Sequence, residues 1–128
     1  MDRDDVAGWL GRYVDAWRSN NRDRIAALFT TDAIYRYHPY EDPLVGADAV
    51  ASSWLEDPDD PDTWEATYEA VAVDGDAAVA VGTSRYARTA ARPARTYHNC
   101  FVLRFDADGR CREFTEWYMQ EPPGAPDG

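Results

Sequence analysis

The chain has 128 residues, 13 basic against 24 acidic side chains, a net charge of −11 and 45% hydrophobic residues. That size suits one domain able to bury a core without disulfides or metals, and the apolar share argues against disorder. No apolar run reaches the roughly 18 to 20 residues of a membrane-spanning helix, and the negative field repels both nucleic acid phosphates and anionic membrane surfaces.

The N-terminus, MDRDDVAGW, is acidic and lacks the pattern of a signal peptide, so a cytoplasmic location is expected. From Asp4 or Asp5, either of which can cap a helix, Val6, Trp9, Leu10, Tyr13, Val14 and Trp17 recur on one helical face. Gly8 and Gly11 weaken that helix by about 1 kcal/mol each relative to alanine, which predicts close packing against a neighbour. Ser19-Asn20-Asn21 ends it, and a shorter helix from Arg22 to Phe29 buries Ile25, Leu28 and Phe29.

A β-rich segment from Ala33 to His38 leads into YEDPLVG, whose Pro43 and Gly46 interrupt regular structure. A third helix with Val50, Trp54 and Leu55 on one face stops at Pro58. The acidic DPDDPD stretch lacks the glycine and bidentate glutamate of a calcium loop and reads as a solvated connector. Four strands follow: Trp64 to Val73, Ala77 to Ala87, Ala94 to Phe105 and Arg110 to Gln120, with Asp74-Gly75 and Asp106-Ala107-Asp108-Gly109 as turns. Residues 1–120 thus form one domain, and 121–128 (EPPGAPDG) a flexible tail.

Helices followed by a meander of long strands indicate an α+β domain with helices on one sheet face. If Phe105 pairs with Arg110, then Tyr97, Asn99, Phe101 and Leu103 share a face with Arg112, Phe114, Glu116 and Tyr118. The other face carries His98, Cys100, Val102 and Arg104 with Cys111, Glu113, Thr115, Trp117 and Met119. Its apolar stripe predicts a homodimer through the outer sheet face. The same register sets Cys100 and Cys111 about four positions apart, too far for a disulfide, so both are expected as free thiols.

The run WLGRYVDAWRSNNRDRIAALFTTDAIYRYHPYEDPLVGADAVASSWL, followed by VLRFDADGRCREFTEWY, resembles the nuclear transport factor 2-like superfamily, specifically its SnoaL-like and ketosteroid isomerase branch. The resemblance implies a strongly curved antiparallel sheet curled into a cone, three N-terminal helices closing over its concave face, and a pocket between them. It makes the Tyr97-containing face the interior. Tyr13 matches the tyrosine that hydrogen-bonds the substrate oxyanion in ketosteroid isomerases. The general-base aspartate of those enzymes falls at Tyr37 or, with a bulge, at His38, and their second acidic group falls at Phe101. Two changed positions of three argue against steroid isomerisation as such. SnoaL-like cyclases use an aspartate and a histidine, which Glu116 and His38 match by residue type alone. The fold also hosts epoxide hydrolases, dehydratases and non-enzymatic binders.

The candidate catalytic residues are therefore His38, Glu116 and Tyr13. His38 is either a general base at the pocket rim or a turn histidine before Pro39. An inward Glu116 either pairs with Arg85, Arg88 or Arg112 or holds a raised pKa suited to catalysis. Trp17, Tyr35, Tyr37, Trp54, Tyr97, Asn99, Phe101 and Tyr118 are candidate substrate-binding residues, supplying bulk, hydroxyls and one amide. The two histidines and two cysteines offer too few ligands at workable spacing for a metal site. No phosphate loop or Ser-His-Asp arrangement implies a cofactor or a nucleophilic serine. Two functions stand side by side: cofactor-free acid/base chemistry on a small apolar or aromatic molecule, of isomerase, cyclase or dehydratase type, or non-catalytic binding by a dimeric accessory protein.

Overall fold

A computed structural model of the chain describes residues 1–122. Helix α1 (Arg3–Ser19) is capped two residues before the earliest expected cap, Asp4. Asp2 is its N-cap, its carboxylate accepting from the Asp5 N–H while Asp5 accepts from the Asp2 N–H in return. The helix buries Val6, Trp9, Leu10, Tyr13 and Ala16 along one stripe. Gly8 and Gly11 lie on its exposed face; a Cβ at Gly11 would meet nothing within 4 Å, so the close packing expected of them is absent.

Helix α2 (Arg22–Ala26) is shorter than expected. The Leu28 carbonyl accepts from both the Cys111 N–H at 2.8 Å and the Trp9 indole at 3.1 Å. The last strand thereby takes an acceptor that would otherwise have continued the helix, and the chain turns at once into β1 (Phe29–Arg36). Phe29 accordingly belongs to a strand, not to a helix. The two-residue β2 (Leu44–Val45) pairs with β1, and α3 (Ala47–Glu56) buries Ala47, Val50 and Ala51. After a single 3-10 turn at Pro61–Thr63 come β3 (Trp64–Asp74), β4 (Ala77–Tyr86), β5 (Arg95–Phe105) and β6 (Cys111–Gln120).

The α+β architecture is as the sequence implied. The six strands form one open sheet in the order β2-β1-β6-β5-β4-β3. It is mixed: the meander is antiparallel, but β1 lies parallel to β6, with Tyr35 opposite Phe114. Its inner face on β4 is a row of small residues, Ala78, Ala80, Gly82 and Ser84. This row leaves room for the aromatic stripe of α1, so that Trp9, Phe29, Phe101, Phe105 and Phe114 meet in a fully buried cluster. Among the described residues no helix is long and apolar enough to cross a membrane.

The β5–β6 turn corrects the expected register. The Asp106 carboxylate accepts from the Asp108 and Arg110 N–H groups, both at 2.9 Å, which makes Arg110 part of the turn and sets Phe105 opposite Cys111. A bulge follows at once, and from there Arg104 faces Glu113 and Phe101 faces Glu116. Turn and bulge each shift the pairing by one, so beyond them the alternation of faces is unchanged. Between them it is exchanged: Cys111 is buried inside and Arg112 turns out to Asp76, at 2.6 Å. Cys100, opposite Trp117, is a free thiol on the outer face, and Cys111 is free in the core. Of the expected tail, 121–128, only Glu121 and Pro122 are described; the Glu121 N–H donates to the Thr96 carbonyl and extends the β5–β6 ladder by one bond. The remaining six residues lie outside the described part.

Two glycines make opposite demands. A Cβ at Gly82 would collide with the backbone carbonyl of Thr67 and with the Tyr68 ring that crosses it. Gly82→Ala is therefore expected to destabilise by about 1–3 kcal/mol. Gly11→Ala, on an open helix face, is expected to stabilise by about 0.5–1 kcal/mol. Urea melts of the two variants check this, and shifts of the same sign would contradict the packing described.

Candidate active site

Between α1, α3 and the inner sheet face lies a cavity of about 250 Å³. Tyr13 and Trp17 reach it from the α1 stripe, Tyr35 and Tyr37 from β1 and the residue after it, and Ser53 and Trp54 from α3. Tyr68 on β3, Ser84 and Tyr86 on β4, Asn99 on β5 and Glu116 on β6 line the opposite wall. Asp57 and Asp59 close one end. Asp59 sits in the stretch read as a solvated connector, yet its carboxylate accepts from the Trp17 indole at 3.0 Å and its carbonyl from the Asn20 amide at 3.1 Å.

The polar groups form a directed chain. The Ser84 hydroxyl donates to the Asn99 carbonyl oxygen at 3.1 Å, which turns the Asn99 amide nitrogen toward Glu116, to which it donates at 2.6 Å. Among the described residues Glu116 has no ion-pair partner. Of the cations considered for it, Arg112 is bound to Asp76, and Arg85 and Arg88 are exposed. Burial pushes the Glu116 carboxyl up to about 7, against the opposing pull of the Asn99 hydrogen bond. A carboxyl poised there can both take and return a proton near neutral pH.

Desolvation, reinforced by neighbouring phenols and Glu116, drives the Tyr13 and Tyr35 hydroxyls well above the ordinary phenol range. Both stay protonated and serve as hydrogen-bond donors. Tyr35 already accepts from the Trp54 indole at 3.3 Å, and the Tyr37 and Ser53 hydroxyls share a hydrogen bond of 2.8 Å.

The structure thus brings Tyr13, Trp17, Tyr35, Tyr37, Trp54, Asn99 and Glu116 around one space. Phe101 lies in the core beneath it, its ring 5.6 Å from Tyr13 and 4.8 Å from Phe114. Tyr97 and Tyr118 pack edge to face at the opening, 5.4 Å apart. His38 is not in the cavity. Tyr37 takes the inward position after β1, so His38 turns to an outer groove, stacked on Tyr40 at 5.3 Å and 4.0 Å from Glu41. Sequence reasoning missed Tyr68, Ser84 and Tyr86. Extending the two-residue alternation from β5 to β4 and β3 would have found them, whereas Asp59 left no local signal.

A family model described as a SnoaL-like domain matches residues 10–114. No curated protein matches the sequence. Among solved structures, the chain is similar to an LEH-like epoxide hydrolase of M. tuberculosis, with a TM-score of 0.69 and 14% identity over 93% of this chain and 86% of that one. It is similar as well to an NTF-2-like protein of unknown function from Burkholderia xenovorans LB400, with a TM-score of 0.68 and 15% identity over 94% and 89% of the two chains. At such identities these likenesses establish the fold.

Glu116 makes stability depend on pH with a definite sign. Its carboxyl rises from 4.5 to about 7 on folding, so between those values the folded chain holds a proton that the unfolded chain has released. Stability is therefore lost as pH rises through that window, by on the order of 3 kcal/mol at about 1.4 kcal/mol per unit. Glu116→Gln, neutral throughout, is expected to be more stable than the parent by that order at about pH 8 and little different at about pH 4. Denaturant melts at the two pH values check it, and a pH-independent difference would overturn the assignment.

Proposed function

The chain belongs to the SnoaL-like domain family, and on that footing we propose that its cavity binds a small, largely apolar or aromatic molecule and moves a proton on it without a cofactor. The observation that carries this reading is Glu116: an inward carboxyl that makes no ion pair among the described residues, held by one amide among aromatic hydroxyls. A group paired for structural purposes would be expected to meet a guanidinium.

In this reading Glu116 is the general base that removes a proton from carbon next to a carbonyl and then returns it. Tyr13 donates a hydrogen bond to the oxygen on which negative charge develops, with Tyr35 as the second candidate donor. Asn99 keeps one carboxylate oxygen engaged and leaves the other for the substrate, while Ser84 fixes the sense of the Asn99 amide. Isomerisation, cyclisation and dehydration all use this proton transfer. His38 does not line this cavity and has no role in this reading.

Exchange of the α-protons of phenylacetone in heavy water, followed by NMR, tests the chemistry. The protein is expected to accelerate exchange, with a rate that rises with pH through about 7 as Glu116 ionises. Glu116→Gln should lose about 10²- to 10⁴-fold of that acceleration. Binding of phenylacetone with no acceleration would favour the non-catalytic accessory role.

We further propose that the outer sheet face closes against a second copy of the chain. Val102, Trp117 and Met119 are 38%, 45% and 77% exposed there, next to Val81 and Cys100. A two-fold interface uses the same patch on both copies, and an apolar stripe left exposed on a sheet face is the kind of patch that such an interface buries. Light scattering at micromolar concentration is expected to report twice the chain mass, and Trp117→Glu to report the single mass. A monomeric parent would overturn this.

A further inference from the structure

A second hollow, of about 240 Å³, continues the cavity outward through the wall of Ser84, Asn99 and Glu116. Two cations reach it, Arg92 and Arg95, in a chain whose net charge is −11. Arg95, at the start of β5, lays its guanidinium over the Tyr86 ring, 4.2 Å from the centroid. Its Nε is buried and has no hydrogen-bond partner, and neither arginine makes an ion pair among the described residues. Arg92 stands in a turn closed by the Thr89 N–H donating to its carbonyl at 2.9 Å and by its own N–H donating to the Thr89 hydroxyl at 3.2 Å.

Arg95 is half-buried, and a buried Nε donor left without a partner is costly unless an acceptor completes it. The Tyr86 ring covers one side of the group, and a guanidinium so placed suits a planar, two-oxygen partner. The acidic groups at this hollow do not fill that role. Asp59 is engaged by the Trp17 indole, and Glu116 by Asn99.

We propose that this hollow is an anion subsite in which Arg95, assisted by Arg92, holds the carboxylate of an amphipathic carboxylic acid whose apolar body enters the aromatic cavity. The inference rests on reading that cavity as a ligand site, and it adds the substrate class: an acid anchored at its charged end, with its interior carbons presented to Glu116. Such a ligand matches the order of the lining, cationic at the mouth and aromatic within. Because burial holds the Glu116 proton up to about pH 7, the bound carboxylate does not face a second full negative charge in mildly acidic solution.

Calorimetric titration with cinnamate and cinnamamide, which differ in charge at one end, tests the proposal at about pH 6. Cinnamate is expected to bind about tenfold more tightly, and Arg95→Gln to bring it to the level of cinnamamide, whose own affinity stays within about twofold. Arg92→Gln should weaken cinnamate by less. Added salt should weaken cinnamate and spare cinnamamide in the unaltered protein, a readout that survives if Arg95→Gln folds poorly. Equal binding of the two probes, or a preference untouched in the Arg92→Gln/Arg95→Gln double variant, overturns the anion subsite and leaves the cavity reading standing. Failure of both probes to bind at millimolar concentration overturns the subsite and the cavity reading together.

Discussion

The ring of Tyr13 joins the helical layer to the sheet. It stacks on Phe114 at 5.8 Å, meets the edges of Trp54 and Tyr68 at 5.2 and 5.9 Å, and touches Trp9 along its own helix. Offset and edge-to-face aromatic pairs are directional as well as apolar, so this set fixes both the distance and the rotation of α1 over the sheet. The small residues of β4 make that approach possible, since bulkier side chains would lift the helix away. With its ring embedded and its hydroxyl at the cavity, Tyr13 makes one residue responsible for packing and for presenting a donor.

Burial follows from this packing, and the behaviour of Glu116 follows from burial. A carboxyl on the inner face of a strand would ordinarily be excluded by its neighbours Phe101 and Phe114. Here the Asn99 amide offsets part of the desolvation, and Ser84 prevents that amide from presenting its oxygen instead. The support is deliberately incomplete in a physical sense: one amide is enough to hold the carboxyl in place and too little to keep it fully ionised at neutral pH. Stability given up at this position is the usual companion of a group available for proton transfer.

The two ends of the cavity differ in kind. The inner end is lined by Tyr13, Tyr35, Tyr37, Trp54 and Tyr68, and the outer end is bounded by Asp59, Tyr97, Tyr118 and two arginines. Charge is thus kept at the rim, where solvent can reach it, and the interior holds a single ionisable carboxyl among the phenols. The indole of Trp17 spans the two zones, stacked on Trp64 at 3.6 Å and donating to Asp59. That bond, with those from Asn20 to the Asp59 carbonyl at 3.1 Å and from Arg18 to the Pro61 carbonyl at 2.8 Å, ties the connector after α3 to the end of the first helix.

Periodicity in the sequence by itself determined the α1 stripe, the third helix, the extents of the four long strands to within a residue or two, and the common face of Phe101 and Glu116. These are properties of short segments, because a helix repeats every 3.6 residues and a strand every two whatever surrounds it. The motifs of the chain carried the family, and with it the fold class. Tertiary structure alone decided what depends on meetings between distant segments. It paired β1 in parallel with β6, ended α2 early by taking the Leu28 carbonyl, exchanged Cys111 for Arg112 through a turn and a bulge, and sent Tyr37 inward and His38 outward. It likewise set Asp59 against Trp17 and Arg95 over Tyr86. The physical reason is that alternation reports which side of its own element a residue takes, whereas register, sheet curvature and long-range hydrogen bonds decide what stands on that side to receive it.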